Sequence, residues 1–379
     1  KQPKTSDVDR RIFDTPEIFL SIFTSLSNMA AVRTALEETS KTGEFVRVAS
    51  GYRSRISPDG QYPPVAGRYH LYVSYACPWA HRTLILRKLK GLEDAISVSV
   101  VHPTWQKTRP DDPEDKHCGW AFTSPDGEPL VPPSGHGSLD PRDTIPDPVK
   151  GFPNVRAIYD SVEDTVGKYT VPILYDKETG TIVNNESAEI IEMLNKEFNA
   201  IAKHPEVDVF PEDLLGAIDA INEWVYPGIN NGVYRCGFAT SQGAYDKAVA
   251  ELFESLDRME AILAENRYLC GDQLTAADVR AYVTLVRFDE VYVVYFKCNK
   301  ARIIDYPNIQ NYLRELWQMP AFKDTTNMYH IKTHYFTSHP TLNHYSVVPA
   351  GPNVLADLAK PHDRDRFSSG AASKKARVE

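Results

Sequence analysis

A cysteine followed by proline, set between an apolar run and a helical one, is the arrangement in this chain best suited to chemistry. The residue is Cys77, in Ser74-Tyr75-Ala76-Cys77-Pro78-Trp79-Ala80-His81-Arg82. Tyr69 to Ser74 reads as a buried strand and Thr83 to Leu89 as a helix, with Pro78 in the first turn, where helices accept proline. Cys77 is therefore expected at a helix N-terminus, whose unpaired N–H groups and dipole favour a thiolate. A free thiol titrates at a pKa of about 8.5, and such positions lower it to roughly 3.5–7.5. Three residues on stands Ala80, not a second cysteine. Chemistry at Cys77 would then pass through a mixed disulfide with an outside thiol. The competing reading is a small buried apolar residue, as free cysteine often is; the strand, Cys-Pro and helix context favours the reactive thiol.

The elements that must hold Cys77 follow from the periodicity. A strand over 69–74, a helix over 78–90 and an alternating strand over 96–101 make one β-α-β unit. A Pro-, Asp- and Gly-rich stretch over 102–154 follows, carrying Trp105 and Trp120; a connection that long is usually functional or disordered. A helix from Val155 to Val166 precedes a strand over Tyr169–Asp176. A turn at Lys177-Glu178-Thr179-Gly180 joins it to Thr181–Asn184 as an antiparallel hairpin. A helix with apolar Ile190, Ile191, Leu194 and Phe198 closes the series. This order, with the cysteine after the first strand, is that of a thioredoxin-like α/β domain, in which Pro172 is expected to be cis and to face the cysteine.

From Lys203 the pattern turns helical. Val249, Leu252, Phe253, Leu256, Met259 and Leu263 line one face, and Thr275 with Asp278 signals a capped helix start. The chain divides into an N-terminal extension over 1–68, with a helical stretch around Pro16–Glu38, and a thioredoxin-like domain over 69–202 with its insert near 102–154. An all-helical domain over 203–345 and a polar tail over 346–379 complete it, with disorder expected from Ser368 and a solvated tail end at Lys374-Lys375-Ala376-Arg377.

Composition narrows the class. The chain has 379 residues, 42% of them hydrophobic, and a formal net charge of −9. It can build two domains, and no nucleic-acid or anionic-membrane surface is indicated. Its five cysteines are widely spaced, which argues for a reducing compartment over a disulfide framework. No apolar run approaches the roughly 20 residues of a membrane span. The run Ile18–Phe23 is too short and too acidic in its flank for a signal peptide. A cytoplasmic protein is expected; the chain begins at Lys1, so organellar import stays open. His330, His334, His339 and His344 match no compact zinc spacing, and no metal is expected.

A thioredoxin-like domain followed by an all-helical one is the architecture of glutathione transferases. The sequence more narrowly resembles the glutathionyl-hydroquinone reductases, or xi-class glutathione transferases, from about Gly43 to Pro352. The resemblance is carried by the ordered series Cys77–Leu84, Cys118-Gly119-Trp120-Ala121-Phe122, Thr170-Val171-Pro172-Ile173-Leu174, Asn185–Ile191 and Asn231-Gly232-Val233-Tyr234. Arg287–Tyr292, Phe296-Lys297-Cys298-Asn299, Asp305–Asn308, His330–Tyr335 and Ser338-His339 continue it. It implies an enzyme that uses glutathione as co-substrate to reduce glutathionyl-hydroquinones, through a Cys77–glutathione disulfide, and that forms a homodimer. It also implies roles. Tyr234 would give a proton to the ring, and Tyr292 and Tyr335 would donate hydrogen bonds to the thiolate. Val171 would bond the cysteinyl part of glutathione through its backbone, Glu186 and Ser187 would hold the γ-glutamyl end, and Trp120 would cover the tripeptide. Lys168 stands where many relatives have arginine; it keeps the charge and loses the bidentate fork. The insert from Asp126 to Gly151 is longer than in bacterial relatives.

Two other readings stand beside it. An omega-like thioltransferase or dehydroascorbate reductase also uses a Cys-Pro nucleophile. A non-enzymatic transferase-like scaffold would need no activated thiol at all.

Overall fold

The computed structural model describes residues 38–47 and 49–367. The helix expected over 16–38 and the tail from Ser368, with Lys374–Arg377, fall outside these residues, Glu38 excepted.

Strand β1 (Tyr69–Val73) is buried at all five positions, which is why it reads as a continuous apolar run. It feeds helix α1 (Pro78–Leu89), then strand β2 (Ser97–Val100), which pairs parallel to β1. The insert forms a two-stranded hairpin, β3 (Gln106–Lys107) with β4 (Cys118–Gly119), before helix α2 (Val155–Asp160). The insert is tied to the sheet by isolated bridges such as Val100 with Ile145 and Ala121 with Asn154. Helix α2 is shorter than the expected 155–166. Strand β5 (Ile173–Asp176) runs antiparallel to β1, and β6 (Thr181–Asn184) antiparallel to β5, giving the order β2-β1-β5-β6. β5 begins four residues later than the apolar run suggested, because Tyr169–Val171 is given over to the site and the Val171–Pro172 bond is cis. Helix α3 (Ser187–Lys196) packs on α1.

Helix α1 is buried without a break from Pro78 to Leu86. A helix buried on every side is one enclosed on every side: α1 lies between α3 and the helical half, where it meets the helix Ala276–Arg287. Each fully buried Leu or Ile there contributes about 1.5–3 kcal/mol.

The helical half begins with α4 (Leu215–Val225). Pro227, which has no N–H to give, falls just after it, and the chain opens into a wide π turn over Tyr226–Asn230, closed by Asn231 N–H on the Tyr226 carbonyl at 2.8 Å. Gly228 is required there, since a Cβ would lie 2.1 Å from Ser255 Oγ. Short α5 (Gly232–Gly237) follows, then α6 (Gln242–Glu265), which buries Leu252, Phe253, Leu256, Met259 and Leu263 and leaves Val249 half-buried. Helix α7 (Ala276–Arg287) starts at Thr275, whose N–H donates to Asp278 at 2.8 Å. It too runs into a π turn, Phe288–Tyr292. Helices α8 (Pro307–Gln318) and α9 (Met328–Thr337) complete the bundle.

The chain beyond Tyr345 departs from the expected polar tail. Residues 354–367 fold back onto α8 and the end of α6, after residues 346–350 touch the insert and α9. Asp357 accepts from Arg314 Nη2 at 2.7 Å, and Arg364 is fully buried, donating to the Leu263 carbonyl at 2.7 Å and the Arg267 carbonyl at 2.6 Å. Its charges are structural pairs, which composition alone cannot tell from solvated ones.

Candidate functional site

Cys77 is the N-cap of α1, with extended backbone (φ −75°, ψ 119°) and Pro78 in the first turn, as the sequence suggests. Its thiol donates to the Val171 carbonyl at 3.5 Å, so the cysteine faces the cis-proline loop. The expected lowering of its pKa is not what this half-buried setting produces. Desolvation is the largest influence and pushes the thiol up. Against it act the N–H groups of Ala80 and Trp79 and the charges of Arg47 and Arg287.

Two hollows adjoin beside this cysteine, which lines the second of them and reaches the border through Val171. One, about 530 Å³, is lined by Lys168, Val171, Glu186 and Ser187 together with Ser50 and Arg47. The other, about 870 Å³, has Cys77, Trp105, Trp120, Tyr234, His334 and Tyr335 in its wall. Trp79, Lys168, Thr170, Val171 and Arg47 border both. The structure thus brings together Cys77, Trp120, Lys168, Val171, Glu186, Ser187, Tyr234 and Tyr335 around one cleft. Tyr292 is fully buried behind it.

The polar hollow is built on the start of α3. The helix is capped by Glu186, whose carboxylate accepts from Ala188 N–H at 3.1 Å and from Ser50 Oγ at 3.0 Å. Ser187, a possible cap by its type, is instead the first helical residue. Arg82 reaches it from α1 at 3.5 Å while its other arm donates to Asn230 Oδ1 of the first π turn at 3.1 Å. Asn230 in turn donates to Thr284 of α7 at 2.8 Å. Burial pushes the Arg82 guanidinium down to about 9. This chain of bonds fixes the polar hollow to the helical half. Lys168 pairs with the buried Glu38.

The tyrosines form a connected set. Tyr335 Oη is hydrogen-bonded to Tyr234 Oη and, at 3.0 Å, to Tyr292 Oη. The hydroxyls of Tyr292 and Tyr335 are therefore engaged with the tyrosine set and not with Sγ, which differs from their expected place as thiolate donors. Burial raises all three well above the ordinary tyrosine range, and Tyr234 alone of the three is pushed further by charge at Cys77. All three stay protonated. Tyr292 stacks on Phe296 (5.4 Å, 3°), and Gly237 lets α5 approach that ring; a Cβ there would lie 2.0 Å from it.

The histidines are scattered in purpose. His334 bonds the Pro103 carbonyl at 3.0 Å and stacks on Trp120 (4.4 Å, 30°), His339 bonds Tyr295 at 2.8 Å, and His330 meets the Arg142 carbonyl. His344 lies against His136 and Tyr345. Among the described residues no group of three or more His, Cys, Asp or Glu side chains could hold a metal ion, and no helix is long and apolar enough to cross a membrane.

Three residues of the site escaped sequence reasoning. Arg287, fully buried, donates to the carbonyls of Tyr75 (2.9 Å) and Ala76 (3.1 Å), the two residues before Cys77. Its Nη1 also donates to His81 Nδ1 at 3.1 Å, so His81 is neutral and carries its proton on Nε2, toward Thr325 at 3.0 Å. Arg47 lies over the Trp79 ring at 3.7 Å. Arg287 and His81 both stood inside quoted motifs; Arg47 carried no signal beyond its charge.

Comparison with known proteins gives a consistent result. Residues 76–197 match the glutathione S-transferase N-terminal domain and residues 242–315 the glutathione S-transferase C-terminal domain. The chain is 46% identical over 331 residues to the glutathionyl-hydroquinone reductase YqjG of Escherichia coli, covering 85% of this chain and 93% of that one. It is likewise 46% identical over 323 residues to the glutathione S-transferase omega-like 2 of Schizosaccharomyces pombe, covering 83% and 95%. The solved structure of the glutathione S-transferase Xi of Phanerochaete chrysosporium superimposes with a TM-score of 0.74 at 48% identity, covering 84% of this chain and all of that one. A glutathione-bound structure of YqjG superimposes with the same score, at 46% identity, covering 84% and 97%.

Proposed function

Because the chain belongs to the xi-class glutathione transferases, the glutathionyl-hydroquinone reductases, we propose that Cys77 is the nucleophile of a glutathione-dependent reduction of glutathionyl-hydroquinones. The observation that carries this reading is the place of Cys77 in the wall of an aromatic hollow suited to a ring, with Tyr234 in the same wall. Its thiol is bonded to Val171, which borders the adjoining polar hollow suited to an anionic tripeptide.

Glutathione occupies the polar hollow. Its cysteinyl part pairs with the Val171 backbone, its γ-glutamyl carboxylate meets the N–H groups and hydroxyl at Ser187, and Glu186 takes its ammonium. Lys168, paired with Glu38, lies at the border of the two hollows, and Trp120 covers the tripeptide. The hydroquinone ring lies among the aromatic side chains. The Cys77 thiolate attacks the glutathionyl sulfur, the carbon–sulfur bond breaks, and the ring carbon takes a proton from Tyr234 as hydroquinone leaves. Tyr335, backed by Tyr292, hydrogen-bonds the tyrosinate left behind, which favours the charged form. A second glutathione thiolate then attacks the glutathione sulfur of the mixed disulfide. Oxidised glutathione departs and Cys77 is a thiolate again. Overall, one glutathionyl-hydroquinone and one glutathione give hydroquinone and oxidised glutathione, with no other reductant.

The same reading takes residues 69–202 as the glutathione-binding domain, 203–345 as the helical one, and the protein as a cytoplasmic homodimer.

Incubation with glutathione and glutathionyl-menadiol tests it. Menadiol and oxidised glutathione should appear in equal amounts, and Cys77→Ser should remove turnover altogether. Brisk disulfide reduction with no menadiol release would instead favour an omega-like thioltransferase, the reading to which the name of the Schizosaccharomyces pombe relative points.

A further inference from the structure

The segment before the sheet crosses the mouth of the cleft. A bridge between Thr39 and Phe45 makes it a small hairpin. Its turn is fastened to the start of α6, where Ser241 Oγ donates to the Thr42 carbonyl at 2.9 Å and Lys247 pairs with Glu44 at 2.9 Å. Side chains alternate along an extended strand. Phe45 is buried, Val46 is 55% exposed, and Arg47 turns back inward. Phe45 packs against Tyr234 (6.3 Å) and Phe238 (5.5 Å), while Arg47 lies over Trp79, two residues from Cys77. One short segment therefore sets an aromatic ring on the proposed acid and a guanidinium in the cleft wall that the nucleophile also lines.

No carboxylate among the described residues forms an ion pair with Arg47, although acids outnumber bases in the chain by 51 to 42. It borders both hollows. Asp164, Glu186 and Glu38 line the same hollows without pairing with it, and a cation on an aromatic face with no ion-paired carboxylate is poised for an anion that arrives or forms later. We propose that Arg47 stabilises the negative charge that develops in this cleft, at the Cys77 sulfur first and at the Tyr234 oxygen after its proton is given. It acts through space, from the strand that roofs the site. The inference rests on the reading of Cys77 as nucleophile and is independent of which thioether it attacks.

Its charge lowers the proton affinity of both Cys77 and Tyr234. Other groups facing Cys77 come from every neighbouring element. Arg287 of α7 and the N–H groups of Trp79 and Ala80 also favour the thiolate. Tyr234 of α5 stands opposite. The Lys168–Glu38 pair, His117 and Cys118 of the insert, and Tyr335, His334 and His339 share the cavity. Arg287 is fully buried, whereas Arg47 is only partly so. Salt reaches the second and not the first.

The experiment is alkylation of Cys77 by iodoacetamide across pH, on the full chain, read at the Cys77 peptide by mass spectrometry. Arg47→Gln should shift the profile to higher pH, slowing alkylation below the thiol pKa by about tenfold for a one-unit shift, while the plateau rate at high pH is unchanged. Arg47→Lys should stay near wild type. In the wild-type protein, 0.5 M salt should shift the profile in the direction of Arg47→Gln, since charges separated by more than roughly 4–5 Å in solvent are then screened. Superimposable profiles for Arg47→Gln and wild type would overturn the proposal, as would slower alkylation at every pH without a shift. Should Arg47→Gln not fold, an absent salt shift in wild type overturns it alone. The assay contains no glutathione and no hydroquinone, so its failure leaves the reductase reading untouched. Failure to release menadiol would conversely leave the role of Arg47 standing.

Discussion

The two halves of the cleft are made from opposite materials. The sheet half contributes groups seated at the ends of regular elements: the thiol of Cys77 at the N-cap of α1, the carbonyl before Pro172, and the Glu186 carboxylate with the N–H groups that open α3. The helical half contributes side chains, carried where helices depart from regularity. Tyr234 follows one π turn, and Tyr292 and Arg287 sit in or beside the other. A site seated on the ends of regular elements is set by the fold. A side-chain site depends on wide turns, which place hydroxyls and cations at angles that a regular helix would not give. Nucleophile and glutathione seat thus belong to the half that many folds can supply, and the features particular to this reaction belong to the other.

The sharpest way to break that division is to remove one oxygen. Tyr234→Phe should slow hydroquinone release by about 10²–10⁴-fold, the usual contribution of a positioned acid. Reduction of a preformed Cys77–glutathione disulfide should hardly change, because no ring carbon needs a proton. The two steps can be timed separately by single-turnover mixing. Equal slowing of both would mean that Tyr234 serves the sulfur and that the halves are not divided as described.

The second test crosses the boundary. Arg287 is a helical-half residue that acts on sheet-half backbone, holding the Tyr75 and Ala76 carbonyls and His81. Arg287→Met keeps much of the volume and leaves those carbonyls without their donor, at a cost of about 1–3 kcal/mol for each orphaned group. A fall in stability of roughly 3 kcal/mol is expected from urea unfolding, with the Cys77 alkylation profile moved to higher pH. Unlike the effect of Arg47, this shift should survive 0.5 M salt. A variant that loses stability with an unmoved profile would make Arg287 an anchor only.

The same division explains what the sequence discloses. Cys77 and Pro172 announce themselves by where they fall relative to apolar runs, since a Cys-Pro at a helix start or a proline before a strand is a local signal; Val171, Glu186 and Ser187 gained their roles from the family motifs. Tyr234, Tyr292 and Tyr335 could be picked out of 20 tyrosines only through the ordered motifs that surround them. Their bonding to one another spans 43 and 101 residues and has no period to read. Arg287 and His81 meet across 206 residues, and the arginine's other acceptors are main-chain carbonyls, which every residue has. Arg364 hid in a polar tail for the same reason. The π turns left one trace, Pro227, and the second left none.

The smallest expected effect concerns acid. In the sheet half, His70 lies between β1 and β2, where Ser99 donates to the Pro146 carbonyl and can accept from Nε2–H of His70 at 2.9 Å. Its Nδ1 is then left to accept from Ser97 at 2.7 Å. That neutral tautomer satisfies both nitrogens, and a second ring proton would face a hydroxyl already donating. Burial holds His70 down to about 4. Between that value and the unfolded value of about 6.5, the unfolded chain binds the proton and the folded one does not. The stabilisation is fully present above about pH 6.5 and is lost as pH falls through about 4. The helical half carries the same liability, with burial taking His330 and His339 to about 4 and His334 well below its ordinary range. Wild-type Tm should therefore fall between pH 6.5 and 4. His70→Gln should reduce that slope by a minor share, on the order of one-seventh if the seven histidines held down by burial (these four with His81, His102 and His117) contribute alike through the same linkage. A slope that vanished with His70 alone would place the acid sensitivity in the sheet half and leave the aromatic wall of the cleft indifferent to pH.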